Sequence, residues 1–168
     1  MDRRSILTLG AAAGLSLLPR AAAAQQKTLK EQIVGAWTLV SWVLTRPDGT
    51  KNYRFGNNPK GVNMFSADGH YSLIIVQPDL PKIASNDALK ATAEEAQAIV
   101  GGSIAYFGTY DVDEASKTLS FQIDGITLAN QLGIPQKRII DTINANEMRY
   151  SNAIAVGGGK IEVALKRA

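Results

Sequence analysis

Six side chains on strand-like runs have the types and spacing to do chemistry: Tyr106, Tyr110, Arg138, Asp141, Arg149 and Tyr150. Tyr106 and Tyr110 lie an even number of residues apart, so one strand presents both on the same face. There they offer hydroxyls and stacking surfaces to a ligand, while an inward Arg138 or Arg149 selects an acidic or carbonyl group. Asp141 with a tyrosine would instead form an acid–base pair for a cofactor-independent isomerisation or cyclisation. A plainer arrangement has the tyrosine rings packed inward with their hydroxyls satisfied and the charges paired or facing water. The residues alone leave all three open.

Other chemistries are closed off by residue type. The chain has one histidine, His70, and no cysteine, so zinc-ligand spacing is not met and no metal is expected. His70 follows Ala67-Asp68-Gly69 and reads as a solvent-side residue at a strand start. Asp111–Ser116 resembles a calcium loop, but Ala115 lacks the ligand oxygen and Ser116 stands where a glycine belongs. It reads as an acidic hairpin turn. The glycine run before Lys160 lacks the spacing of a phosphate loop, and no Gly-x-Ser-x-Gly elbow occurs. No cofactor and no catalytic nucleophile are assigned.

The elements that must position these residues are strands. Strand-like runs occupy Ala36–Thr45, Val62–Ser66, His70–Gln77, Ser103–Val112, Thr118–Asp124, Lys137–Asn144, Glu147–Ala153 and Lys160–Arg167. Short links such as 113–117 and 144–146 favour antiparallel neighbours in chain order. One helix is expected over Ala93–Val100, where Thr92 and Glu95 have capping-box spacing. The inward faces are apolar but carry tyrosines: Ile104, Tyr106, Tyr110 and Val112; Leu119, Phe121 and Ile123; Ile161, Val163 and Leu165. That pattern suits an all-β, up-and-down antiparallel barrel of about eight to ten strands around a small cavity. The first strand is apolar on both faces, however. Trp37, Leu39 and Val43 are placed inside, and Val40, Trp42 and Leu44 outside, under the helix or a second subunit of a homodimer.

Residues 1–24 read as an export signal, with Arg3 and Arg4 before a mildly apolar run and a cut after Ala24. They carry three arginines against Asp2. The remaining 15 basic and 14 acidic residues are nearly balanced, which gives no argument for nucleic acid. A barrel domain over 25–168, periplasmic or otherwise exported and not stably inserted in a membrane, is the expected product.

Gly35-Ala36-Trp37 resembles the Gly-x-Trp opening of lipocalins. Together with Asn58–Gly61, Ala67–Gly69 and the Tyr106–Asp113 strand, it is similar to the bacterial lipocalin-like domain family over Ile33–Arg167. The arginine pair followed by Ser5, Ile6 and Leu7 resembles a twin-arginine export signal. The first resemblance implies a compact antiparallel barrel with a small hydrophobic pocket, floored by Trp37 with Arg167 packed over it. It implies no shared reaction. Pocket candidates are then Trp37, Leu39, Tyr106, Tyr110, Phe121, Arg138, Asp141, Arg149 and Tyr150. The expected role is holding a small hydrophobic molecule, with an isomerase or cyclase, or a partner-binding domain using the Trp42 face, as alternatives.

Overall fold

The structure is a computed structural model and describes residues 27–152 and 158–168. Residues 1–24, read above as an export signal, lie outside the described residues. Nine strands form one antiparallel sheet: β1 Gly35–Thr45, β2 Lys51–Asn52, β3 Lys60–Phe65, β4 His70–Val76, β5 Ser103–Asp113, β6 Thr118–Ile126, β7 Gln136–Ile143, β8 Glu147–Asn152 and β9 Lys160–Arg167. Each of β3 to β9 pairs with its chain neighbour, and β1 pairs with both β3 and β9. Eight strands therefore close into a barrel, with β6 and β7 joined over four residues only. The two-residue β2 folds back on the end of β1 as an extra strand.

Among the described residues two α-helices form, each with a capping box at its start. The helix α2, Ala93–Gly102, has the expected Thr92–Glu95 capping box and runs two residues further than its periodicity suggested. The five-residue α1, Leu29–Ile33, was not anticipated; it buries Leu29 and Ile33 against the barrel and has its own capping box from Thr28 and Glu31. Neither helix, nor any other among the described residues, is long and apolar enough to cross a membrane.

The first strand corrects the sequence reading. Leu39 pairs with Leu165 and Ser41 with Ala164, so Val40 is an extra residue in β1. Such a bulge shifts the alternation by one. Trp37 and Leu39 face inward as expected, but beyond the bulge Trp42 and Leu44 turn inward too, while Val43 does not join them. The strand is apolar on both nominal faces because its faces exchange partway along. Trp42 and Leu44 need no helix or second subunit to cover them, and that ground for expecting a homodimer falls away. Similar single-residue excesses occur at Asp124 in β6 and Asp141 in β7.

Candidate functional site

The barrel is filled at one end and hollow at the other. At the filled end Trp37 is fully buried, and its indole Nε1 donates to the Ile33 carbonyl at 2.7 Å. The Arg167 guanidinium lies 3.8 Å from the Trp37 ring. It also donates to the carbonyls of Gln32 and Val34, both at 2.8 Å, and to Ala145 at 3.2 Å. One arginine thus supplies the unpaired carbonyls at the end of α1 and a cation–π contact. From the other side, Glu114 accepts the Leu29 and Lys30 amides at 2.8 and 3.0 Å, which fixes the start of α1. The floor expected from the Gly-x-Trp opening is present in these contacts.

Above the floor, Phe65, Tyr71, Tyr110 and Phe121 form an aromatic cluster with ring centroids 4.6 to 5.1 Å apart. Tyr110 faces inward as read from the sequence, but its hydroxyl donates to the Ser66 carbonyl at 2.8 Å. Tyr110 and Phe121 therefore belong to the packed end and do not line the hollow. Leu39 is likewise buried core.

The hollow is a cavity of about 970 Å³. Its apolar wall includes Trp42, Leu44, Phe55, Leu73, Ile75, Ile104, Ile161 and Val163. Trp42 stacks edge-on against Phe55, with centroids 5.2 Å apart. Near the mouth, Arg54 donates to the carbonyls of Gly101 and Val100 at 3.0 and 3.4 Å, tying the end of α2 to the loop before β3. β6 pairs with β7 only from Thr118 to Phe121, opposite Ile139 to Gln136. Past that point the wall is completed by Gln131, Ile134 and Pro135 of the connecting segment, and the lining continues onto Ser116, Thr118, Ser120 and Lys137. The quoted volume includes this extension.

Polar groups meet where the cavity reaches the aromatic cluster. Tyr106, Arg138, Tyr150 and Asn152 all line it. The Tyr71 and Tyr150 hydroxyls donate to Asn63 Oδ1 at 3.0 and 3.5 Å, and Asn63 is fully buried. Burial, reinforced by Tyr106 and Tyr150, pushes the Tyr71 phenol well above its ordinary range. Burial and Tyr106 do the same to Tyr150, with Arg138 working the other way. Burial pulls Arg138 down, but the phenols of Tyr106, Tyr150 and Tyr71 outweigh it and hold the guanidinium in its charged form. Tyr71 and Tyr150 stay neutral and Arg138 stays cationic near pH 7, so these three groups can bind and orient through hydrogen bonds and charge.

Two sequence candidates are not brought to the site. Asp141 is exposed on the outer face, where its carboxylate accepts from the Ser151 hydroxyl at 3.1 Å. Arg149 is exposed as well, paired across the sheet with Thr142 and Ala164. Strand alternation explains Arg149, which is adjacent to the inward Tyr150 and so faces the other way. The bulge explains Asp141, the extra residue of β7, which drops out of the ladder between Ile140 and Thr142. The acid–base pair considered for an isomerase or cyclase is therefore not assembled.

Sequence reasoning missed Trp42, Leu44, Phe55, Arg54 and Asn152. The first two were hidden by the bulge at Val40. Phe55 and Arg54 lie in a loop with no periodicity to read. Asn152 could have been found, since it shares the face of Met148 and Tyr150 two residues apart.

The sequence matches the lipocalin-like domain family over residues 34–164. No curated protein shows significant similarity to the chain. Among solved structures it is similar to a lipocalin-like protein from Bacteroides uniformis ATCC 8492, at 13% identity and a TM-score of 0.45, covering 82% of this chain and 99% of that one. A de novo designed fluorescence-activating β-barrel aligns at 8% identity and a TM-score of 0.44, covering 85% of this chain and all of the design. The match spans β1 to β9 and both walls of the cavity, in a barrel of the kind that supports ligand binding: the chain belongs to the lipocalin-like domain family.

Proposed function

We propose that this protein is an exported barrel that holds a small hydrophobic molecule in its interior. The observation that carries the reading is the hollow behind Trp42, Leu44, Phe55, Leu73, Ile75 and Val163, set above the Trp37–Arg167 floor; together with its extension onto Ser116, Thr118 and Ser120 it makes a cavity of about 970 Å³. Small-molecule pockets combine apolar walls with a few polar groups, as here. Burial contributes about 25 cal/mol for each Å² of ligand surface removed from water. Eight strands in a closed hydrogen-bonded cycle hold the walls in place before the ligand arrives, which lowers the ordering cost of binding. Export rests on residues 1–24, whose Arg3-Arg4 start and Ala22–Ala24 end suit a cleaved signal of the twin-arginine type.

The test is a titration with a neutral apolar fluorophore, N-phenyl-naphthylamine, followed by its own emission and by quenching of Trp42. Saturable binding to the wild type is expected. Ile161→Trp, which fills the cavity from β9, should weaken it by about tenfold while circular dichroism stays unchanged. Emission that rises without saturation, or that is indifferent to Ile161→Trp in a folded variant, would exclude the lumen as the site.

A further inference from the structure

We infer that the ligand is an amphipathic carboxylate, its acid group held by Arg138 at the base of the cavity and its apolar body lying along the Trp42 wall. This deepens the proposed function and rests on it.

Arg138 is the starting point because its charge has no carboxylate partner among the described residues; its neighbours are the Phe121 ring, 5.6 Å away, and the Tyr106 hydroxyl. Among the described residues no carboxylate lies within ion-pairing distance of it; the three ion pairs present are His70–Asp68, Lys90–Asp87 and Lys160–Glu162, all on the surface. The acid on the cavity lining is Asp113, on the outward extension, where it caps the Ala115 and Ser116 amides at 3.0 and 3.1 Å. A guanidinium drawn inside a barrel wall without a counter-ion carries a large desolvation cost. An anion entering the lumen would relieve it.

The hydrogen-bond geometry narrows the anion. Arg138 Nη1 donates to Gln136 Oε1 and to the Lys137 carbonyl, at 3.1 and 3.0 Å, and Nη2 donates to Gln136 Oε1 at 3.1 Å. A guanidinium has five N–H groups. Both on Nη1 and the Nη2 hydrogen that faces Nη1 are therefore used. The pair left over, Nε–H and the outer Nη2–H, lies along one edge and points in parallel. That edge fits the two oxygens of a carboxylate side-on. A phosphate monoester fits less well, because it brings about −1.5 to −2 charges at pH 7 to a single cation.

The neighbouring wall supports an anchoring point for a polar end. Asn152 lines the cavity at 8% exposure, and its Oδ1 is buried with no hydrogen-bond donor among the described residues. The register pairs Ile139 with Ser151, so the next step along the two strands sets Arg138 opposite Asn152. Arg138 and Asn152 thus share one polar patch, with Tyr106 and Tyr150 beside it; the carboxylate is assigned to Arg138, since Asn152 Oδ1 is an acceptor and offers it no hydrogen bond. The rest of the interior wall is mainly apolar, with Asn52, Arg54 and Gln136 as its further polar members. A molecule with one acidic end and one greasy body matches both parts.

Decanoate and 1-decanol differ in the acid group while sharing chain length, so they separate this inference from the broader one. Titration calorimetry near pH 7 should show decanoate binding at least about tenfold more tightly than 1-decanol, the difference a charge-assisted bidentate contact makes. Arg138→Met should abolish that preference by weakening decanoate alone. Arg138→Lys, which keeps the charge without the fork, should fall between the two and remains informative should the methionine variant fail to fold. Equal affinity of the two probes for the wild type would overturn the carboxylate assignment and leave an apolar-ligand barrel. Failure of both probes to bind would overturn the two readings together.

Discussion

At Gly35 a single hydrogen in place of a methyl lets the floor of the barrel close. Its φ of +126° lies where side chains are rarely found, and a Cβ built there would sit 2.9 Å from Arg167 Nη1. That same Nη1 donates to the Val34 carbonyl beside it. The glycine of Gly-x-Trp is therefore required twice, once by backbone conformation and once by the approach of the arginine. Gly35→Ala should lower stability by about 2–3 kcal/mol, from the strained backbone and a displaced guanidinium. Urea unfolding followed by Trp37 emission would measure this, and a change under about 0.5 kcal/mol would show that the floor does not depend on it. The residue scale also explains why the candidate list divided. Tyr106, Arg138 and Tyr150 reach the cavity, whereas Asp141 and Arg149 point outward. Alternation says that Arg149 and Tyr150 oppose one another, but not which one the core claims, and no local signal marks Asp141 as the extra residue of a bulge.

At the level of the element, the bulge at Val40 makes β1 serve two layers of the barrel. Before it, Trp37 and Leu39 pack the filled end; after it, Trp42 and Leu44 line the hollow end. Removing Val40 would restore strict alternation with Trp37, Leu39, Trp42 and Leu44 all on the inner face, because the residue removed is the one without a partner on β9. That deletion should therefore keep cooperative thermal unfolding and buried tryptophan emission. Removing Val40 and Ser41 together would instead turn Trp42 and Leu44 outward, a loss from the interior worth roughly 3–5 kcal/mol or more, comparable with the whole stability of a small domain. The double deletion should lose cooperative unfolding and shift tryptophan emission to the red. A single deletion as damaging as the double one would refute the bulge as the cause of the phase change. The helix α2 was legible because its capping box is local and its periodicity short. The helix α1 was not, because five residues give too little periodicity. Its ends are held by Arg167 and Glu114 from distant parts of the chain.

Across the whole molecule, no cysteine is present to cross-link the barrel, so its stability rests on packing and hydrogen bonds. The interior network of Asn63, Tyr71 and Tyr150 then links stability to pH in a definite direction. Burial raises both phenols above their ordinary value. A raised acid of this type favours the folded state fully below the unfolded value near 10, and that contribution is lost as pH rises beyond it. Stability measured by urea should be level from neutral pH to about pH 10 and then fall. Phenolate absorbance from these two tyrosines should appear only together with unfolding. Their titration within a folded barrel would mean that the network is open to water.

What the sequence determined by itself is the part governed by neighbours along the chain. The Trp37–Arg167 floor was implied by the resemblance of the Gly-x-Trp opening, while the strand runs, the hairpin links and the capping box of α2 all follow from local periodicity and turn chemistry. So does the absence of zinc-type chemistry, because a chain with one histidine and no cysteine lacks the ligands. Tertiary structure decided what depends on where the sheet closes. Pairing β1 with β9 fixed the bulge at Val40 and with it the inward turn of Trp42. The same closure chose Arg138 over Asp141 for the lumen and set Asn152 across from it. A strand's pattern specifies two faces, and only its partners determine which of them is inside.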